Sequence, residues 1–308
     1  MAKQIISIVI PTFNEAGNVE LIYKAVVESV PKNYLCEIIF VDDGSNDETL
    51  PTIKKLARKH TNVKYLSFTR NFGHQYALKA GIDHASGEAV ITLDSDLEHP
   101  PKLIPKMIIE WCRGAKIVNT VRKDNPNLAL HKRITSLIFY KFINKLSDVP
   151  ILQGGADFRL IDQSVAKMIK ESSESTLFLR GLVAWSGYPS TTLTYAPNKR
   201  RWGRSKYTYS KMLRLAVDAL TSFSVVPLRI ATIIGFLMSF FTGLYGLYAI
   251  IAYFTNWNVI TGWPSVIISV LFIGGLQLLI LGIIGEYIGK IFLETKKRPL
   301  YVINESKL

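Results

Sequence analysis

"AVITLDSDLEHPP", Ala89 to Pro101, decides the fold. A short apolar run ends abruptly in Asp94, Ser95 and Asp96, with Glu98 and His99 just behind and Pro100 and Pro101 closing the stretch. Such a run reads as a buried strand, so two carboxylates stand at a strand end. Asp94 and Asp96 alternate as strand residues do, and both can face the same side as the chain leaves the sheet. Oxygen-only ligands at this spacing suit a hard divalent cation, Mg or Mn, that keeps open positions for phosphate oxygens. The bland alternative is a solvated turn with a proline-rich exit. Placement at the end of a strand, beside two similar turns, moves the reading towards metal binding.

Those turns lie upstream. "ISIVI", "EIIFVDD" and "VKYLSF" are further β-rich runs, and helical patterns at Ala16 to Val30 and Asp47 to His60 lie between them. Alternating strands and helices predict an α/β fold, a mostly parallel Rossmann-like sheet with helices on both faces. Ligands of such sheets sit beyond the carboxyl ends of the strands. "PTFNE", "VDDGSND" and "LDSDLEH" occupy that place. In "VDDGSND", Gly44 permits a tight turn and Ser45 or Asn46 can cap the next helix. That structural reading leaves Asp42 and Asp43 unexplained, since adjacent carboxylates repel unless something donates to them; a nucleobase N–H would serve. "GAKIVNTV" reads as another strand and puts Arg122 near the same end of the sheet.

Hydrophobic residues make up 48% of the 308 positions, and the C-terminal third explains that content. No residue from Ile230 to Phe254 is charged, and Pro264 to Ile288 contains a single ionisable residue, Glu286. Each run supplies the ~20 apolar residues that a bilayer crossing needs. A buried core helix is the alternative, and two such uncharged helices are rare in one soluble domain. Arg229 and a basic segment precede the first run, and Lys290, Lys296, Lys297 and Arg298 follow the second. By the positive-inside rule both flanks are cytoplasmic, and the uncharged connector with Trp257 is outside. The expected organisation is a cytoplasmic catalytic domain at 1–228, a two-helix membrane region at 229–290 and a cytoplasmic tail at 291–308, in the inner (plasma) membrane. Glu286, beside Lys290, is read as a packing or ion-pairing residue. No signal peptide, internal repeat or low-complexity linker is evident. Cys36 and Cys112 lack metal-ligand spacing and give no support for a disulfide framework.

A formal net charge of +13 calls for an anionic partner: nucleic acid, a membrane surface or a phosphorylated substrate. The basic residues cluster beside the spans, which argues against nucleic acid. Residues 122–146 carry Leu130, Ile134, Leu137, Ile138 and Phe142 at helical spacing beside Lys132, Arg133 and Lys141, and residues 198–223 repeat the arrangement after Gly203. Both suit helices lying in the membrane interface.

The motifs "SIVIPTFNEAGNV", "VDDGSNDET", "RNFGHQYAL", "GEAVITLDSDLEHPP" and "RWGRSKY" resemble family 2 glycosyltransferases of the GT-A fold. "GGADFRLID" and the ending "LGIIGEYIGKIFLETKKRPLY" are similar to the polyprenyl-phosphate glycosyltransferases, related to dolichol-phosphate mannose synthases and closer to the GtrB-like bactoprenol glucosyltransferases. The family usually has Gln where Glu98 stands. The resemblance implies a nucleotide-sugar donor, with UDP-glucose the expectation from this branch and a UDP-linked amino sugar, another hexose or GDP-mannose the alternatives, and an undecaprenyl phosphate acceptor. Pro11, Asn14 and Glu15 would line the nucleoside pocket, with Asp42 accepting from the base and Asp43 beside it. Asp94, Ser95 and Asp96 would hold the donor diphosphate through the metal, with Glu98 nearby as a third ligand and Arg122 on the pyrophosphate. Asp157 lies where the family places an acidic residue facing acceptor and sugar; pairing with Arg159 is the alternative. Lys132, Arg133, Arg200, Ser205 and Lys206 are the candidates for gripping the acceptor phosphate, guanidinium forks matching phosphate geometry. His74, His99 and His131 read as polar partners or surface residues rather than catalysts. In-line attack by an already anionic lipid phosphate would invert the anomeric centre and needs no strong general base. Two other readings are a processive polysaccharide synthase, against which stand the missing Q-x-x-R-W signature and the small number of spans, and a non-catalytic lipid-phosphate-binding protein, against which stand Asp42, Asp94 and Asp96. Association of copies through the membrane helices is a further expectation.

Overall fold

A computed structural model describes residues 3–122, 154–172, 174, 177–196, 224–254 and 262–308. The chain divides into two units, one holding nearly all of the first 212 residues together with Arg298–Leu308, the other centred on residues 213–297.

In the first unit, strands and helices alternate as expected: β1 (Ile5–Thr12), α1 (Ala16–Ser29), β2 (Leu35–Asp42), α2 (Thr49–Lys59), β3 (Val63–Phe68), α3 (His74–His84) and β4 (Ala89–Thr92). After a short 3-10 turn come α4 (Ile104–Cys112), β5 (Ile117–Arg122), β6 (Gly155–Asp162), α5 (Gln163–Glu171), α6 (Leu179–Trp185) and β7 (Ser190–Tyr195), and the final strand is β8 (Ile303–Lys307). The eight strands form one sheet in the order β7-β5-β6-β4-β1-β2-β3-β8. β6 runs antiparallel to β4 and β5, β8 runs antiparallel to β3, and the remaining pairs are parallel.

β1 shows why the sheet is buried on both faces. Ile6, Ile8 and Ile10 pack with Val19, Ile22 and Val26 of α1, while Val9 joins Ala77, Leu78 and Ala80 of α3 on the opposite side. Alternating residues of one strand thus feed two cores. α3 lies so close that a Cβ on Gly81 would come within 2.1 Å of Val9 Cγ1. Asp162 ends β6 and caps α5 by accepting from the Ser164 amide. The order reverses at β1, with β2 on one side and β4 on the other, which opens a crevice at their carboxyl ends.

Residues 303–307, expected as part of a tail, are instead an edge strand of the sheet. The second unit contains α7 (Val226–Phe254) and α8 (Trp263–Thr295), both long and apolar enough to cross a membrane. Their side chains are exposed rather than packed in a core, Phe236 at 70% and Leu278 at 72%. That exposure separates them from core helices of a soluble protein. Glu286 is exposed on α8 and makes no ion pair among the described residues, contrary to the pairing expected for it.

Candidate active site

The crevice collects the turns that follow β1, β2 and β4. After β1, Asn14 adopts a left-handed backbone with φ 55°, and its Oδ1 accepts from the amide of Asn46 at 2.9 Å. Its own amide donates to Ser45 Oγ at 2.9 Å, and the amide of Glu15 donates to Thr49 Oγ1 at 2.9 Å. Two turns far apart in sequence are thereby buttoned together. Asp42 is buried and accepts from the Ser45 amide at 3.2 Å and from Ser67 Oγ at 2.9 Å. Asp43 is buried beside it and aimed elsewhere: its carboxylate accepts from the amides of Phe72 at 2.7 Å and Gly73 at 3.0 Å. Burial pushes its pKa up against those amides and the nearby His74. The repulsion expected between the two aspartates is answered by backbone and hydroxyl donors. Gly44 allows the close approach, since a Cβ there would stand 2.5 Å from the carbonyl carbon of Arg70.

Asp94 follows β4. Its Oδ1 is buried without a hydrogen-bond partner, 3.5 Å from Nε2 of His74. Its amide donates to Nδ1 of His99 at 3.4 Å, and that ring is buried and stacked on Phe158. Asp96 Oδ1 accepts from the amide of Glu98 at 3.1 Å. Between them Leu97 holds φ 63°, a backbone that costs a non-glycine residue roughly 1–2 kcal/mol and is concentrated at functional sites. Arg122, at the end of β5, approaches Glu98 with Nη1 3.5 Å from Oε2.

His74 opens α3 and bridges two carboxylates, reaching Asp157 Oδ2 at 3.4 Å as well as Asp94. Partial desolvation opposes its charge, although 43% of the side chain stays exposed; with no cation on Asp94, Asp94 and Asp157 outweigh that and push its pKa up to about 9. Asp157, on β6, is buried and gripped bidentately by Arg180 of α6, Nε at 2.8 Å and the outer nitrogen at 2.9 Å. Gln75 donates to it at 3.2 Å while its Oε1 accepts from the Leu179 amide at 3.1 Å. Burial works against this charge, but Arg180 and His74 hold the carboxyl well below its ordinary range. The pairing with Arg159 exists at 3.4 Å and is secondary to Arg180.

The family described as "Glycosyl transferase family 2" matches residues 7–169, from β1 into α5, the segment that carries both carboxylate turns and Asp157. The bactoprenol glucosyl transferase of Shigella phage SfX is 43% identical over 98% of this chain and 99% of its own length. This chain belongs to glycosyl transferase family 2. A prophage bactoprenol glucosyl transferase homolog of Escherichia coli K12 is 41% identical over 98% of the chain and 99% of that protein. Among solved structures, glucosyl-3-phosphoglycerate synthase of Mycobacterium tuberculosis, crystallised with Mn2+ and UDP, aligns with TM-score 0.47 at 16% identity over 71% of this chain and 78% of that one. The mannosyltransferase PcManGT of Pyrobaculum calidifontis, in complex with GDP-Man and Mn2+, gives 0.44 at 17% identity over 94% and 88%. The sheet is mixed and mostly parallel, as expected of the α/β fold.

In this family 2 chain the described residues bring together Pro11, Asn14, Glu15, Asp42, Asp94, Ser95, Asp96 and Asp157 at one end of the sheet, with Glu98 and Arg122 paired at its rim. Asp43 serves the Phe72–Gly73 loop. Lys132, Arg133, Arg200, Ser205 and Lys206, with both proposed interfacial helices, lie outside the described residues. Sequence reasoning missed Arg180 and Gln75 and set His74 aside as a polar partner. The signal for Gln75 and His74 was present in "RNFGHQYAL"; Arg180, in "FLRGLVAW", carries none until the sheet brings α6 beside β6.

Proposed function

We propose that this chain is a membrane-anchored, inverting glycosyltransferase that moves one sugar from a nucleotide donor to a polyprenyl phosphate, with UDP-glucose and bactoprenol (undecaprenyl) phosphate as the pair that fits its relatives. The observation that carries the reading is Asp94 at the switch point, with a buried oxygen lacking a hydrogen-bond partner beside a His74–Asp157–Arg180 array. The buried Oδ1 of Asp94 makes no hydrogen bond and stands 3.5 Å from the His74 ring, which leaves it able to take a further ligand, and a hard divalent cation, Mg or Mn, fits an all-oxygen donor set. Asp94 and Asp96 would hold it. Among the described residues no three acidic, imidazole or thiol side chains are arranged to hold a metal ion by themselves, so donor phosphate oxygens would have to complete the site; Glu98 is held towards Arg122. When bound, the cation would neutralise charge on the leaving nucleoside diphosphate.

The chain's own groups supply the rest. Asn14, Glu15 and Asp42 stand where a nucleoside would lie across the two buttoned turns. Asp157 is too firmly engaged to collect a proton; it orients Arg180, a cation placed to attract a phosphate and to stabilise charge as the glycosidic bond breaks, and it holds the His74 ring beside Asp94. A lipid phosphate is already anionic at neutral pH, with a second pKa near ~6, so attack needs orientation more than deprotonation. The spans and the return of residues 303–307 to the sheet support a topology with both ends of the membrane region on the catalytic, cytoplasmic side, and the spans are the surface through which copies would associate.

The test is a screen of radiolabelled nucleotide sugars with purified protein, MnCl2 or MgCl2 and undecaprenyl phosphate, followed by extraction of the lipid. Label from a single donor in the organic phase is the expected result. Polymeric product would favour a synthase, and absence of any transfer or donor hydrolysis would leave a binding protein.

A further inference from the structure

The strand that follows the two candidate spans begins beside the carboxyl end of β3, on the side of the sheet where the crevice lies. β8 pairs with β3, and Thr69, the first residue beyond β3, donates its amide to Val302 at 3.1 Å. Just before β8, Tyr301 stacks on Phe68 with ring centroids 5.1 Å apart and planes at 17°, while its hydroxyl donates to Asp83 of α3 at 2.9 Å. Phe68 in turn meets Phe72 edge-on at 5.6 Å. Phe72 and Gly73 are the residues whose amides Asp43 holds, and His74, which touches Asp94 and Asp157, comes next. The loop from Thr69 to Gly73 is therefore clamped from two sides. On one side stand Asp43 and Gly44 of the proposed nucleoside turn; on the other stand Tyr301 and Val302, which reach the sheet only after the chain has passed through both candidate spans.

We propose that Tyr301 is a positioning residue of the donor site, holding the Thr69–Gly73 loop so that His74 sits between Asp94 and Asp157. The proposal rests on the transferase reading for its consequence and on packing for its cause. An aromatic stack contributes beyond the area it buries, enough to bias a short loop that is otherwise anchored at one end. Tyr301 touches no reacting group; it acts through Phe68, Phe72 and α3.

The experiment uses the full-length protein in nanodiscs, with Tyr301→Ala, Tyr301→Phe and, as a control on the same strand, Glu305→Ala, which removes the 2.6 Å ion pair to Lys54 of α2 and leaves the loop alone. Hydrogen exchange of peptides covering residues 69–76 is measured first. Tyr301→Ala is expected to speed that exchange at least tenfold, Tyr301→Phe, which keeps the ring, by no more than about threefold, and Glu305→Ala not at all. Calorimetric titrations with UDP and with GDP, each with MnCl2, then measure the consequence. The nucleotide that the wild type binds is expected to lose five- to tenfold in affinity in Tyr301→Ala and less than twofold in the other two variants. Unchanged loop exchange in Tyr301→Ala overturns the clamp, as does an equal change in Glu305→Ala, which would make the effect one of general stability. Faster exchange with undiminished nucleotide affinity overturns the positioning role. Wild-type protein that binds neither nucleotide would sink the transferase reading, while loop exchange would still decide the clamp.

Discussion

The bidentate grip of Arg180 on Asp157, with Gln75 and His74 completing the shell, makes a carboxylate whose lone pairs are spent. A general base needs a free lone pair and a pKa near working pH, and this group has neither. Arg180→Lys keeps the charge and loses the fork, so transfer is expected to fall about tenfold with Asp157 intact, and Asp157→Asn about ten- to a hundredfold. Between pH 5 and 8 the pH–rate profile of Asp157→Asn should keep its acid side, and any new fall should appear on the alkaline side, because His74 loses one of the two carboxylates that raise its pKa. A fully active Arg180→Lys beside an inert Asp157→Asn with a lost acid limb would return the base role to Asp157. At Asp94 and Asp96, replacement by Ala should abolish transfer without unfolding, and EDTA should do so reversibly. Circular dichroism and the lipid-extraction assay check both, and activity surviving in metal-free buffer removes the cation from the scheme.

Elements convert these contacts into geometry, and here the sequence was legible unevenly. Strands with apolar runs and helices with apolar faces announce themselves locally, so β1 to β4, α1 and α2 were readable, and so were the turns at their ends. Contacts between elements were not. "INESK" has no apolar alternation, because β8 lies at a sheet edge with only one neighbour, and nothing local marks it as a strand. Arg180 and Asp157 sit on different elements, and only packing pairs them. Two turns meet at Gly44, whose φ of 71° and backbone contact with Arg70 admit no Cβ. Gly44→Ala is expected to cost about 1–3 kcal/mol in stability and to weaken nucleotide binding, read by thermal melting and calorimetry. A fully stable variant with native affinity would show that the turns can part freely. At the other end of the sheet Asp162 ties α5 to Trp111 and Lys116. Burial opposes its charge, but the Ser164, Trp111 and Lys116 donors outweigh it and hold its pKa at about 2 against an ordinary 3.8. A depressed carboxylate stabilises above its unfolded value, and that contribution disappears as pH falls from about 4 to about 2. The difference in melting temperature between wild type and Asp162→Asn should therefore be full at pH 7 and shrink below pH 4; a constant difference would contradict this.

At the scale of the whole molecule, one sheet contains strands from before and after two candidate spans, and the proposed topology returns both ends of the membrane region to the same compartment. In a cysteine-free background, Asn256→Cys should react with an impermeant maleimide applied to intact cells and Ser306→Cys should not. Labelling of both or of neither would refute that topology. The same arrangement sets a schedule for biogenesis. While the ribosome is still making α7 and α8, β3 has no neighbour on its outer side, because the strand that pairs Tyr65 with Lys307 has not been synthesised. An open strand edge invites pairing with other chains, and contacts this distant in sequence form slowly. In the proposed topology the sheet gains its last strand only once residues 303–307 have emerged and both candidate spans have been inserted, so a chain whose insertion fails would keep an open strand edge and lack the Tyr301 clamp on the Thr69–Gly73 loop.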